Sequence, residues 1–267
     1  MSNVFSICGY DIREIQFTIL EIAKEIKRIC DKNGITYVLD GGTLLGALRH
    51  KGFIPWDDDL DIAMTRENYE KFLICCKSDL SSDYFVQNNR TEVEYPFDFT
   101  KIKKKNTLYT EKCMTGLNVM DGVYVDIFPI DKTFENKWKK QGKLLSFWRN
   151  VRWTKLRYKL QPFKKKIITL PFTFLSLGFI NKKADRIMTI YSNKETNKVA
   201  KICHPGPKKP CEPIELYLDT IDLEFEGLMF KCPRHYETLL RNRYGNYLEL
   251  PPEADRHSTH GILNVKL

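Results

Sequence analysis

The spacing of apolar residues predicts a long first helix followed by short strands and helices. Between residues 11 and 33, isoleucines recur at steps of three and four residues, which gives one apolar stripe along a helix. Gly34 is a suitable stop for this helix. The short apolar run 35–39 then predicts a buried strand, residues 41–43 a tight turn, and residues 44–50 a short helix capped by Thr43.

The alternation of apolar and polar residues continues through the first half of the chain. It predicts strands at 59–64, 84–87, 98–103 and 122–128, and a helix capped by Thr65 at 66–77. Near the other end, Pro233 is suited to the first position of a helix that reaches Tyr244 and stops at Gly245. This mixture of elements predicts an α/β (α+β) fold in which helices flank a mixed sheet.

The middle of the chain differs from the rest in composition. Residues 136–200 are rich in Lys, Arg and aromatic residues, and we expect a mostly helical, basic insertion between a catalytic core at 1–135 and a C-terminal part at 201–267 that completes the catalytic domain. The apolar run 167–180 is flanked by lysines and is too short to span a bilayer. Two interpretations stay open: a buried helix, or an element that lies on an anionic membrane surface.

Charge and cysteine content narrow the class of protein. The chain carries 43 Lys and Arg against 34 Asp and Glu, a net charge of +9, which indicates an anionic partner. A hydrophobic fraction of 42% excludes disorder as the main state. Eight scattered cysteines and an N-terminus that lacks the signal-peptide pattern predict reduced thiols in a reducing compartment. A zinc site is a minor alternative because its spacing is loose; it would use Cys203, Cys211, Cys232 and His235.

Four aspartates within the five positions 57–61 indicate a cation site. On a strand, Asp59 and Asp61 point to the same face, and paired carboxylates are suitable ligands for Mg²⁺. Asp126 is a lone acid on an otherwise apolar predicted strand, where an acid is costly without a partner. The turn Gly41-Gly42 before a helix offers free N–H groups to phosphate. Together these features predict a nucleotidyltransferase-like fold.

Residues 40–64, DGGTLLGALRHKGFIPWDDDLDIAM, closely resemble the characteristic motif of the LicD family. The resemblance continues in 101–103 (KIK), 122–131 (GVYVDIFPID) and 244–252 (YGNYLELPP), and it is weakest between 136 and 200. The family includes bacterial phosphocholine transferases and, more distantly, fukutin-related protein. The resemblance implies transfer of phosphocholine, or another alcohol phosphate, from CDP-choline or a related CDP-alcohol, with release of CMP. The acceptor would be a sugar hydroxyl of a cell-surface glycopolymer (teichoic acid, lipopolysaccharide or capsule) or of its lipid-linked precursor.

The resemblance also implies roles for individual residues. The catalytic acids and the ligands of Mg²⁺ or Mn²⁺ would be Asp59, Asp61 and Asp126. The diphosphate would be held by Gly41, Gly42 and Thr43, and the remaining expected substrate contacts are Arg49, His50, Trp56, Asp57, Asp58, Lys101, Lys103, Arg256 and His260. Aromatic faces would recognise a choline cation, with candidates at Trp56, Tyr95, Phe97, Tyr124 and Phe128. The base for the sugar hydroxyl stays open between Asp126 and another carboxylate.

Two alternatives belong to other functional classes. A nucleotidyltransferase that transfers NMP from an NTP would keep the fold and change the chemistry. A basic protein that binds nucleic acid or membrane without catalysis would explain the net charge, but the intact set of three aspartates argues against it. We therefore expect no nucleic-acid partner, and we expect the protein in the cytoplasm at the inner face of the cell membrane, with peripheral membrane contact through the basic segment.

Overall fold

The structure is a computed structural model, and it describes residues 5–203, 211–258 and 260–267. Along the chain the elements are β1 (Ser6–Ile7), β2 (Tyr10–Asp11), α1 (Ile12–Asn33), β3 (Val38–Leu39), α2 (Gly41–His50), β4 (Asp61–Thr65), α3 (Arg66–Asp79), β5 (Tyr84–Gln87), β6 (Thr100–Lys104), β7 (Leu108–Glu111), β8 (Tyr124–Lys132), α4 (Trp138–Leu156), α5 (Phe163–Thr169), α6 (Leu177–Met188), β9 (Lys198–Ala200), β10 (Glu212–Pro213), α7 (Glu215–Leu218), β11 (Thr220–Phe225), β12 (Leu228–Pro233), α8 (Tyr236–Tyr244) and β13 (Ile262–Lys266).

A mixed central sheet organises the fold. Its strands follow the order β10-β9-β8-β4-β3, and β6 pairs with the first half of β8 and with β5. Strand β4 runs parallel to β8, whereas β3, β6 and β9 run antiparallel to their partners. Outside this sheet, β11 pairs with β12, and β7 pairs with β13 from the C-terminal end of the chain. The predicted α+β class is confirmed.

Helix α1 forms as its sequence pattern predicts. Five of its six isoleucines, among them Ile15, Ile22 and Ile26, are buried in the main core cluster. Asp11 caps the first turn by accepting a hydrogen bond from the backbone N–H of Arg13, and Gly34 ends the helix in the left-handed conformation. The predicted bounds, 11–33, differ from the observed ones by one residue.

Two predicted helix starts are wrong. Helix α2 begins at Gly41 and not at residue 44, and Thr43 does not cap it, because the Thr43 hydroxyl accepts a hydrogen bond from the backbone N–H of Asp61 at 2.8 Å. Helix α8 begins at Tyr236, because Pro233 still belongs to strand β12. Thr43 lies inside α2 and bonds to the backbone of β4, and Pro233 pairs with Thr220 of β11.

The basic segment is helical, as expected, but residues 167–180 are not a buried helix. Helix α5 ends at Thr169, a 3-10 turn follows at Leu170–Phe172, and α6 starts only at Leu177. Pro171 lies in this break, and much of the apolar run is exposed. Within the described parts of the chain, none of the helices is long and apolar enough to cross a membrane.

The segment 136–200 also contributes to the interior. Leu145 of α4 and Ala184 of α6 share a buried cluster with Phe99 and with Phe128 of β8. Helix α4 is therefore packed on the strand that carries Asp126.

Candidate active site

A row of charged residues crosses three neighbouring strands of the central sheet. Asp61 of β4 is in register with Asp126 of β8, which is in register with Lys101 of β6. The Lys101 ammonium lies 3.1 Å from Asp126 Oδ1 and 3.4 Å from Glu111 Oε1 of β7. Burial opposes the charge on Lys101, but these two carboxylates outweigh it and raise its pKa. The row therefore places one cation against two acids.

His260 links two more aspartates to this row. Its Nδ1 lies 2.8 Å from Asp58 Oδ1 and its Nε2 lies 3.2 Å from Asp59 Oδ2. Asp58 is buried, and the Tyr109 hydroxyl donates a hydrogen bond to its other oxygen at 2.5 Å. Although burial disfavours a charged ring, the hydrogen bonds to Asp58 and Asp59 raise the pKa of His260 to about 12. His260 is thus an imidazolium at neutral pH, with both ring nitrogens as donors.

The aspartates of the site lie close enough to disfavour one another's ionisation. Burial, followed by the charge of Asp59, raises the pKa values of Asp57 and Asp61 well above the ordinary range. Burial raises the pKa of Asp126 to about 6, against the opposing effect of Lys101. Repulsion of this kind indicates that the donor set, all carboxylate oxygens, suits an added divalent cation.

In this structure the aspartates are not arranged around one metal position. No group of three or more His, Cys, Asp or Glu gathers to hold a metal among residues 5–203, 211–258 and 260–267. Asp59 is paired with His260, and Asp126 is paired with Lys101. The residues of the zinc alternative are not gathered into such a group either. Cys203 and Cys232 belong to different core clusters, and all eight cysteines are free.

The start of α2 packs against the aspartates through two glycines. A Cβ added at Gly41 would lie 2.7 Å from Asp61 Oδ2, and one added at Gly42 would lie 2.8 Å from Asp57 Oδ2. Gly41 also has a φ of +58°, a conformation that side chains disfavour. The glycines therefore allow the positive end of α2 to approach two carboxylates. The preceding Asp40 is buried and paired with Lys201 and Arg243.

A cavity of about 270 Å³ opens over the charged row. One part of its lining is charged, with Asp59, Asp61, Asp126, Lys101, Glu111, Arg149 and His260. The other part is aromatic, with Phe97, Phe99, Tyr124, Phe128 and Trp153. The Lys101 ammonium already lies 3.2 Å from the centre of the Tyr124 ring, so these rings accept a cation in this structure. We call this cavity the aspartate pocket.

Several residues predicted to contact the substrate lie away from the aspartate pocket. Arg49 donates hydrogen bonds to the carbonyls of Tyr247 and Glu249. The buried Lys103 ammonium donates to the carbonyl of Met120 at 2.8 Å. His50 lies at the end of α2, where burial lowers its pKa. For each of these residues, contact with the donor stays a prediction.

Trp56 and Arg256 meet in a separate cavity of about 290 Å³, which is also lined by Phe5, Pro55 and Glu253. The Arg256 guanidinium lies 5.6 Å from the centre of the Trp56 ring. Tyr95, another aromatic candidate, is fully buried and packs edge-on against Phe97. The aspartate pocket therefore brings together three of the five aromatic candidates.

Four pocket residues were not identified from the sequence as part of the site: Phe99, Glu111, Arg149 and Trp153. Glu111 lies on β7, the strand that follows β6 in the chain, and its Oε1 lies 3.4 Å from the Lys101 ammonium. Arg149 and Trp153 come from α4, where they are four residues apart and so share one helix face. The four-residue spacing indicates a shared helix face, but the basic residues around it gave no indication that this face lies against the site.

The chain matches one family model and several known proteins, over regions of different length. Residues 34–172 match the family model for the LicD/FKTN/FKRP nucleotidyltransferase domain. The chain is 29% identical over 258 residues to lipopolysaccharide cholinephosphotransferase LicD of Haemophilus influenzae, and the alignment covers 93% of this chain and 96% of that protein. It is 42% identical over 48 residues to human ribitol 5-phosphate transferase FKRP, covering 18% of this chain and 10% of that protein.

Proposed function

Since the chain belongs to the LicD/FKTN/FKRP nucleotidyltransferase-domain family, we propose that it transfers phosphocholine from CDP-choline to a glycan hydroxyl and releases CMP. Both transferases named above move an alcohol phosphate, so NMP transfer from an NTP is not favoured. The choline enzyme aligns along almost the whole chain, whereas the ribitol enzyme aligns only over a block of 48 residues. This difference supports choline as the alcohol.

The aspartate pocket is the observation that carries the proposal. Phosphocholine joins an anionic phosphate to a quaternary ammonium group. Lys101 and His260 supply positive charge for the phosphate, and the rings of Phe99 and Trp153 supply the faces that attract an alkylammonium cation. Ribitol phosphate and glycerol phosphate carry no such cation, and an aromatic lining would offer them no comparable attraction.

The proposed reaction is a displacement at phosphorus. The acceptor hydroxyl oxygen forms a bond to the phosphorus that bears choline, and the bond from that phosphorus to the oxygen of CMP breaks. The hydroxyl proton passes to a carboxylate of the aspartate set, and CMP leaves as the anion. Lys101 and His260 neutralise charge on the phosphate oxygens, and the positive end of α2 adds to this field.

Asp59, Asp61 and Asp126 would hold Mg²⁺ or Mn²⁺. The ion would supply charge neutralisation at the phosphate oxygens. The fit rests on the donor chemistry of the three residues and on the burial and mutual repulsion that raise the pKa values of Asp61 and Asp126.

We place the reaction in a reducing compartment, at the inner face of the cell membrane. The support is that all eight cysteines are free, among them the exposed Cys8 and Cys113. The acceptor in this proposal is a surface glycan or its lipid-linked precursor.

The test is CMP release, measured by chromatography, with Mg²⁺, a glycan acceptor and one donor at a time: CDP-choline, CDP-ribitol, CDP-glycerol or an NTP. We expect release with CDP-choline, and we expect Trp153→Leu to raise KM for this donor by about tenfold. Trp138→Leu, at the start of α4, is the matched control and leaves KM unchanged. Release only with CDP-ribitol would keep the reaction and overturn the choline assignment, and product only from an NTP would overturn both.

A further inference from the structure

An apolar ridge projects from the basic segment on the outside of the molecule. Six side chains on and beside α5 are between 49% and 80% exposed: Leu160, Phe163, Ile167, Ile168, Leu170 and Phe174. We call these six residues the apolar ridge. Exposed apolar side chains are common singly, but six of them within fifteen residues mark an interaction surface.

The ridge is held in place by contacts on its inner side. The hydroxyls of Thr154 in α4 and Thr169 in α5 form a buried hydrogen bond at 2.7 Å. The Lys155 ammonium donates to the carbonyl of Thr173 at 2.8 Å, and the Phe172 ring packs edge-on against Phe147. Because these contacts fix the inner side, the folded segment directs the apolar side chains outward.

The surroundings of the ridge are strongly basic. From residue 136 to residue 184 the sequence has fourteen Lys or Arg and not one Asp or Glu. Lys159, Lys164 and Lys165 are exposed beside the ridge residues, and Lys182 is exposed on α6. The surface therefore combines apolar side chains with positive charge that acidic neighbours do not neutralise.

We propose that the apolar ridge and its lysines bind the surface of an anionic lipid bilayer. A bilayer offers both matching components, since acyl chains accept the Leu, Ile and Phe side chains and anionic headgroups attract the lysines. A second copy of this chain would bring like charges together. Nucleic acid would match the lysines but not the branched aliphatic side chains of Ile167 and Ile168.

The ridge and the aspartate pocket are connected through α4. Thr154 holds α5, and the adjacent Trp153 lines the aspartate pocket. A bilayer bound at the ridge would therefore lie one helix away from the pocket. An acceptor carried on a lipid of that bilayer would lie near the pocket. The membrane proposal itself does not depend on which donor the pocket binds.

The experiment is flotation of the purified full chain with vesicles, in the absence of donor and acceptor. We expect binding at low salt to vesicles of phosphatidylcholine with one-third phosphatidylglycerol, weaker binding at high salt, and little binding to phosphatidylcholine alone. Ile167→Ser should weaken the binding by about fivefold or more. Ile74→Ser, which removes an equally exposed isoleucine from α3, should leave it unchanged.

A charge series tests the second component of the surface. Replacing Lys159, Lys164 and Lys165 with Gln should lower binding by at least about tenfold, and the matched replacement of three other exposed lysines should not: Lys24, Lys77 and Lys266. Circular dichroism checks that every variant is folded. Absence of binding to anionic vesicles at low salt, or equal binding by both lysine variants, overturns the proposal. So does a dimer in light scattering that Ile167→Ser dissociates, because the ridge would then be an interface between copies.

Discussion

At the scale of single residues, two neighbouring buried lysines have pKa values that are shifted in opposite directions. Lys101 and Lys103 lie on the same face of β6, and both are almost fully buried. Lys101 forms ion pairs with Asp126 and Glu111, whereas Lys103 donates a hydrogen bond to the Met120 carbonyl. Burial, with a smaller contribution from the charge of Lys101, lowers the pKa of Lys103 to about 8.

The lowered pKa of Lys103 predicts that the free energy of unfolding of the protein depends on pH. The unfolded chain keeps this side chain protonated up to its ordinary pKa of 10.5, while the folded protein releases the proton at about 8. The unfolded state therefore binds more protons between these values, and stability rises with pH across that window. Urea unfolding at pH 8 and pH 10 should show the wild type gaining stability relative to Lys103→Met. An equal difference at both pH values would contradict the lowered pKa.

Lys101→Met has a different expected effect. It leaves Asp126 and Glu111 buried without their cation, which costs about 3 kcal/mol or more in the free energy of unfolding. Urea unfolding at neutral pH measures this loss, and Lys103→Met at the same pH is the matched control. A loss for Lys101→Met no larger than that of the control would mean that the ion pairs seen around Lys101 contribute little.

Asp61→Asn should separate activity from stability. The substitution removes a carboxylate whose pKa is raised by burial and by the charge of Asp59, so the folded state without metal becomes easier to form. We expect the variant to melt a few degrees above the wild type in EDTA, to gain nothing from added Mg²⁺, and to release CMP at least about a hundredfold more slowly. Melting below the wild type in EDTA would show that the ionised carboxylate stabilises the fold.

The predictable part of the site lies within short stretches of sequence. Asp59 and Asp61 line the same pocket, although β4 begins only at Asp61, and Asp126 was recognisable as an acid on an apolar strand. Glu111 and Trp153 line the same pocket from β7 and α4, and no pattern within either element indicates that it will lie beside the acids. The sequence therefore predicts the acids of the site better than its aromatic and cationic walls.

At the scale of elements, α2 shows how a helix is fitted against a site. Gly46 faces backbone, because a Cβ there would lie 2.4 Å from the Gly52 carbonyl oxygen. At Gly42 the nearest atom is the end of the Asp57 side chain, which can move. We expect Gly46→Ala to lower stability by about 2 kcal/mol, and Gly42→Ala to reduce CMP release with a smaller loss of stability. Urea unfolding and CMP release on both variants check this, and equal stability losses would contradict it.

Elements with their own periodicity were predictable, and elements made by distant pairing were not. The predicted bounds of α1 and α3 lie within two residues of the observed ones, because each helix carries an apolar face of its own. Strand β13 and its partner β7 come from distant parts of the chain, and their residues carry no strong alternation. The break in residues 167–180 follows from Pro171, although apolar content alone suggested a buried helix.

At the scale of the whole molecule, buried ion pairs join the basic segment to the central sheet. Asp98 is fully buried and accepts hydrogen bonds from Arg149 and Arg152 of α4 at 2.8 Å each. Arg152 also donates to the carbonyl of Pro96. Because Leu145 packs with Phe128 in the same region, α4 shares both polar and apolar contacts with the sheet.

These contacts predict that the basic segment and the sheet unfold together. Three of the four tryptophans lie in α4, so tryptophan fluorescence reports mainly on the segment, while far-ultraviolet circular dichroism reports on the whole chain. We expect the two urea transitions to coincide. Arg152→Met should shift both by about 3–5 kcal/mol, because it leaves Asp98 buried with one partner fewer, whereas Lys143→Met on the exposed face of α4 should shift neither. A fluorescence transition that precedes the dichroism transition would mean that the segment folds as a separate unit, and the position of Trp153 in the aspartate pocket would then depend on that unit alone.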